Sequence, residues 1–162
     1  MEPDNKNYKE KIYIKLYKAN WCGYCKRFIP DWEKLKQIIS RLQTSLKAQQ
    51  IDIKLKEYEE TNPDDKVQIE RDGIKSYPTI RIIHKKYKIE KNTKTEIEDR
   101  SIASIMKIVS GLISDNNIKI QIEEIIGEQE KAKQLAQQGG QKNKYYNEYL
   151  KCRAKYLKLK NK

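Results

Sequence analysis

Apolar and polar residues alternate from Lys11 to Tyr17, with Ile12, Ile14 and Leu16 on one side and Tyr13 and Tyr17 on the other, which is the period of a strand. The period changes after Ala19-Asn20-Trp21-Cys22. Phe28, Trp32, Leu35, Ile38, Ile39, Leu42 and Leu46 recur at steps of three and four, predicting one long amphipathic helix from near Cys22 to about Ala48. Pro30 falls inside it, where the missing N–H is expected to kink the axis. Ile51 to Tyr58 alternates again as a second strand. Asn62-Pro63-Asp64-Asp65 opens a short helix to about Arg71, with proline in its first turn, and Asp72-Gly73 closes it. Thr79 to His84 is a third strand directly after Tyr77-Pro78, and Tyr87 to Lys91 with Thr95 to Glu98 supplies its hairpin partner. Ser101 is a good N-cap for a helix striped by Ile102, Ile105, Met106, Val109, Leu112 and Ile113.

The order is strand, helix, strand, helix, strand, strand, helix. Strands separated by a long helix imply parallel pairing with a right-handed crossover, and the late hairpin implies antiparallel pairing at an edge. The expected fold class is therefore α/β, a mixed four-stranded sheet flanked by helices, over residues 1–115. Residues 116–138 begin with period two (Ile118, Ile120, Ile122) and end with period four, and read as a helical extension or connector. A polar, glycine-containing break at Gln137 to Gln141 then marks a linker. Residues 139–162 form the last segment, a basic amphipathic C-terminal helix in which Tyr145, Tyr149, Cys152, Tyr156 and Leu159 share one face.

Composition narrows the function. Of 162 residues 37% are hydrophobic and 36% charged, enough for one core but not for a core along the whole chain, and no apolar run approaches the roughly 18 residues of a membrane span. The start, MEPDNKNYKE, has no apolar signal region, so the cytoplasm is the expected compartment. Over half of the net charge of +12 lies in residues 139–162. That segment could pack on its own domain, pair two copies of the chain into a homodimer, or bind nucleic acid or an anionic surface weakly through its charge.

Three cysteines cannot build a disulfide framework, and the close pair Cys22 and Cys25 is a redox or metal signal. Cys22 stands where a strand yields to a helix, so its sulfur meets unpaired backbone N–H groups and the positive end of the helix dipole. Such sites favour thiolate, the attacking species in disulfide exchange. Cys22 is the expected nucleophile and Cys25, one turn deeper, the resolving thiol. A zinc site would need four ligands. The further candidates, His84 and Cys152, have spacings that fit no ribbon or finger, so neither metal nor cofactor is expected.

The run Lys15 to Pro30 (KLYKANWCGYCKRFIP) and the later GIKSYPTI from Gly73 to Ile80 resemble the thioredoxin and protein disulfide isomerase superfamily. Trp21, Gly23, Lys26, Pro30 and Pro78 match its WCGxC motif, the lysine after it, its kinking proline and its cis-proline. The resemblance covers roughly residues 10–115 and implies a thiol:disulfide oxidoreductase with a thioredoxin-like fold, acting on protein substrates with disulfides or thiols. Pro78 should be cis and lie against the cysteines, with Trp21, Tyr24 and Tyr77 making an aromatic rim for substrate. The other reading is a non-catalytic interaction protein of the same fold, recruited through its basic tail.

Two positions depart from the superfamily pattern. Leu16 stands where a buried acid usually helps deprotonate the resolving thiol, and Lys54 or Lys56 could approximate the lysine that partners that acid, depending on register. Tyr24 stands between the cysteines where proline or histidine is usual. The Tyr-, Leu- and Lys-rich tail resembles C-terminal helices of some proteins of large DNA viruses, so packaging in a virion is the alternative location.

Overall fold

The computed structural model describes residues 8–86 and 93–138. Among them the chain forms β1 (Glu10–Lys18), α1 (Gly23–Ala48), β2 (Ile51–Glu59), α2 (Pro63–Arg71), β3 (Thr79–Lys86), β4 (Thr93–Ile97), α3 (Ile102–Leu112) and α4 (Asn116–Gln138). The strands make one mixed sheet in the order β2-β1-β3-β4. β1 runs parallel to β2 through the α1 crossover, and antiparallel to β3, which in turn pairs antiparallel with β4. Of the expected hairpin strand, Tyr87 to Lys91 lies outside the described residues. So does the basic segment 139–162 with Cys152.

Alternation assigns the two faces of the sheet. Ile12, Ile14 and Leu16 of β1, Ile51 and Ile53 of β2, and Ile80 and Ile82 of β3 are buried in one core with the apolar stripes of α1 and α3. α1 continues through Pro30 for 26 residues and buries Cys25, Phe28, Trp32, Leu35, Ile38, Ile39, Leu42 and Leu46. The residues expected as one helical stripe therefore share one buried face. α2 lies on the other side of the sheet, capped by Asn62, whose side-chain oxygen accepts from Asp64 N–H at 3.1 Å.

Contacts divide the chain into two compact units, Met1–Gly127 and Glu128–Lys162. In the first unit α4 is helical from Asn116, although its isoleucines start with period two. Ile118 and Ile122, four apart, are buried in the core, and Ile120 between them is 55% exposed. The apparent strand alternation is one helical face plus an outlier. In the second unit the described residues, 128–138, complete α4. Among the described residues no helix is long and apolar enough to cross a membrane.

Candidate active site

β1 ends at Lys18, and a tight turn closed by Cys22 N–H on the Ala19 carbonyl (3.0 Å) delivers the chain into α1. Cys22 is the N-cap of α1, with extended backbone, and its Sγ accepts from the Cys25 N–H at 3.2 Å. The sulfur thus occupies the place that a serine or aspartate oxygen takes at an ordinary helix start. No acidic residue stands in the first turn of α1 to oppose negative charge there. Ala19, Cys22 and Cys25 form a small buried cluster, covered on one side by Tyr77.

The two thiols are free and electrostatically opposite. Burial would push the Cys22 thiol up. Hydrogen bonds from the Cys25 thiol and from the Cys25 and Tyr24 N–H groups, with the charge of Arg100, outweigh it and bring Cys22 below the ordinary thiol value. For Cys25 burial dominates, and its hydrogen bond to Cys22 adds to it, raising the thiol to about 11. One sulfur is poised as thiolate and the other holds its proton, with that proton directed at the first.

The surroundings come from the turn before α1, the start of α1 and the loop before β3. The Tyr77–Pro78 peptide bond is cis, as the resemblance implied, and the Tyr77 carbonyl accepts the Cys22 S–H at 3.5 Å when that thiol is protonated. Trp21, 68% exposed, meets Tyr77 edge to face with ring centroids 6.0 Å apart. Tyr24, 69% exposed, carries the Arg27 guanidinium 4.5 Å from its ring centroid. Gly23 opens α1, and a Cβ there would meet nothing within 4 Å, so the surface beside Cys22 stays free for an incoming chain. Pro30 and the exposed Lys26 follow on α1, away from the sulfurs' own hydrogen bonds.

Several contributors carry no sequence motif. The corner after β2 clasps the loop before Cys22. Asn20 N–H donates to Glu59 Oε1 at 2.8 Å, Asn20 Nδ2 to Thr61 Oγ1 at 3.1 Å, and Trp21 Nε1 to Glu60 Oε2 at 3.2 Å. Arg100 arrives from the turn between β4 and α3. Ile97 pairs with Ile80, so the chain leaving β4 runs alongside Thr79 and Pro78 toward the thiols. Only a folded sheet brings these groups together.

Leu16, at the usual acid position, is fully buried in the apolar core. Its cross-strand neighbour is Glu57, which accepts from Trp32 Nε1 at 2.8 Å and pairs with Lys18 at 2.7 Å and with Lys36. Burial opposes its charge, but those hydrogen bonds hold its carboxyl down to about 2, so it is a poor proton acceptor. Lys54 and Lys56 point to the opposite face, where Lys56 Nζ lies 5.8 Å from the Tyr13 ring centroid, so neither lysine stands beside Leu16. His84 sits at the far end of β1 from the cysteines, buried beside Glu10 with Nε2 to Oε2 at 3.8 Å. It does not join the thiols.

The sequence profile of the family described as Thioredoxin matches residues 4–108. The chain belongs to the thioredoxin family. Curated relatives of this thioredoxin-family chain include the protein disulfide isomerase-like 1-2 of Oryza sativa subsp. japonica, 35% identical over 72 residues, which are 44% of this chain and 12% of that protein. Protein disulfide-isomerase A4 of Homo sapiens is 30% identical over 77 residues, 48% of this chain and 10% of its own. The chain thus spans about a tenth of the length of these relatives. Among solved structures, a crystal form of ERdj5 superposes with a TM-score of 0.50 at 17% identity, over 62% of this chain and 12% of that one, and shares the fold.

Proposed function

We propose that the chain is a thiol:disulfide oxidoreductase that acts on protein disulfides through Trp21-Cys22-Gly23-Tyr24-Cys25. The observation that carries this reading is the opposed pair of thiols, Cys22 lowered at the helix start and Cys25 raised beneath it. The Cys22 thiolate attacks one sulfur of a substrate disulfide, forming a mixed disulfide and expelling the other sulfur as thiolate. Cys25 then gives up its proton and attacks Cys22 Sγ. That step forms the Cys22–Cys25 disulfide and releases the second substrate thiol, so two electrons pass from the dithiol to the substrate. The reverse sequence oxidises a substrate dithiol.

Trp21, Tyr24, Tyr77 and Pro78 serve in this reading as the docking platform, Gly23 as the gap through which substrate reaches Cys22, and Lys26 and Pro30 as supports of the helix that carries the pair. Insulin reduction by a small dithiol, followed by turbidity, tests it. The chain should catalyse precipitation, Cys22→Ser should abolish it, and Cys25→Ser should accumulate a mixed disulfide visible on a non-reducing gel. A wild-type chain no faster than the dithiol alone would overturn the reading and favour a binding module.

A further inference from the structure

Several aromatic rings of this lysine-rich chain carry a cation of the chain itself. The Arg27 guanidinium lies 4.5 Å from the Tyr24 ring centroid, Lys15 Nζ lies 5.3 Å from that of Tyr58, and Lys85 Nζ lies 5.7 Å from that of Tyr13. Trp21 differs. Indole is the aromatic ring that attracts a cation most strongly, and this one is 68% exposed. Among the described residues no lysine or arginine stands over Trp21 or over Tyr77 beside it.

What adjoins Trp21 instead is negative. Glu60 Oε2 accepts the indole N–H at 3.2 Å, and Glu59 Oε1 accepts the Asn20 N–H at 2.8 Å and the Thr61 hydroxyl at 3.3 Å. Those donors are all neutral. Among the described residues neither carboxylate pairs with a cation. Tyr77 closes the corner, its ring edge to face with Trp21 at 87°, and burial followed by the charges of Glu60 and Glu59 pushes its hydroxyl up. Two rings at right angles and two uncompensated carboxylates thus adjoin the attacking sulfur, since the Tyr77 carbonyl is 3.5 Å from Cys22 Sγ.

Resting on the oxidoreductase reading above, we propose that Glu60 and the open face of Trp21 select substrates with a lysine or arginine beside the cysteine under attack. Cys22 is 6% exposed, so a substrate sulfur reaches it only with its neighbouring residues pressed against this rim. An extended chain advances about 3.3 Å per residue, and the long stem of a basic side chain can lie along the indole while its head meets Glu60. One side chain then makes both the cation–π contact and the ion pair. An apolar residue would use the rings and leave the carboxylates without a role, and an acidic one would be repelled. Arg27 is occupied on the Tyr24 ring, and Arg100 acts on Cys22 from the turn between β4 and α3. The net charge of +12 does not decide the preference, because at about 0.15 M salt charges beyond roughly 8 Å are largely screened, whereas the corner acts in contact.

Disulfide-linked dimers of a short peptide test the proposal, each peptide having one cysteine and one varied residue placed in turn one or two positions before or after it. The reduced full chain passes two electrons to the peptide disulfide in a single turnover, giving two peptide thiols and the Cys22–Cys25 disulfide. Second-order rate constants at about 0.15 M salt are divided by those for dithiothreitol, which removes differences in the peptides' own reactivity. At the position that reaches the corner, lysine and arginine should exceed glutamine about five- to tenfold. Norleucine, a stem without the charge, should fall well below lysine, and glutamate should be slower than glutamine. Glu60→Gln keeps an acceptor for the indole N–H and removes only the charge, so it should cut the lysine-to-glutamine ratio about threefold. Trp21→Leu should cut the same ratio to a similar extent, and Glu60→Lys should make the glutamate peptide the fastest. Equal rates for lysine and glutamine at every position, a glutamate peptide fastest with the wild type, or an unchanged ratio in Glu60→Gln would overturn the inference and leave the oxidoreductase reading in place. Reduction of no peptide would overturn that reading, and this inference with it.

Discussion

At the scale of single residues, the chemistry turns on where protons reside. Cys25, raised to about 11 and lacking an adjacent acid because Leu16 fills that place, is about one part in ten thousand thiolate at pH 7. The share of that rise that comes from the Cys22 sulfur is lost once Cys22 is tied into a mixed disulfide, but burial persists, so the attack of Cys25 should quicken as pH rises above 7, while alkylation of reduced Cys22 levels off below the ordinary thiol range. Stopped-flow release of a reduced substrate and pH-resolved iodoacetamide labelling would separate the two profiles. A release rate flat above pH 7 would mean that another base already takes the proton. Leu16→Asp should restore such a base and speed release at pH 7, on the order of a hundredfold. The same change puts a carboxyl into a fully buried apolar site, so it should also lower stability by about 3 kcal/mol in urea unfolding.

Among the elements, α2 shows how a short helix is held in place. Gly73 follows it at φ +66°, with Gly73 N–H on the Glu70 carbonyl at 3.0 Å and Ile74 N–H on the Ile69 carbonyl at 3.2 Å, a closing motif that needs the left-handed conformation. Gly73→Ala finds open space for its methyl but not for its backbone, and should cost about 1 kcal/mol in urea unfolding. A loss below a few tenths would show that the turn relaxes. Both this stop and the Asn62 start were readable in the sequence, because caps are chemistry within a few neighbouring residues. The α1 stripe was readable for a related reason, since one helix face meets one core. Elements whose partners are distant in the chain were not. The isoleucines of α4 looked strand-like because exposed Ile120 falls between buried Ile118 and Ile122, and the inward face of β2 depended on a register that only pairing with β1 fixes. For the site, the cysteines, the aromatics and Pro78 could be read from a local motif. Glu59, Glu60, Thr61 and Arg100 reach it through tertiary structure, and no spacing points to them.

Over the whole molecule, two carboxylates bind the layers together. Burial works against the charge of Asp72, but hydrogen bonds from Tyr17, Gln68 and Lys15 hold it at about 2, as Lys18, Lys36 and Trp32 hold Glu57. Both folded values lie below those of the unfolded chain, near 4, so their contribution is complete above that range and is lost as pH falls toward 2. His84 acts with the same sign in a higher window. Burial lowers its folded value despite Glu10, with Lys86 adding to the effect, so stability should begin to decline as pH falls below the ordinary imidazole range. Urea midpoints from pH 8 to 2 should trace two successive declines, and Asp72→Asn should flatten the lower one while costing about 2 kcal/mol at neutral pH. A curve level down to pH 3 would remove these groups as the cause. The N-cap sulfur of α1 links this same energetics to electron transfer. A thiolate fills the vacancy that an aspartate fills elsewhere, and a sulfur locked in a cystine bridge carries no charge with which to do so. Whatever the helix gains from that anion is gained by the dithiol form alone, so folding itself pulls the bridge toward being opened, and each added N–H donor at the start of α1 makes the oxidised chain a keener acceptor of electrons.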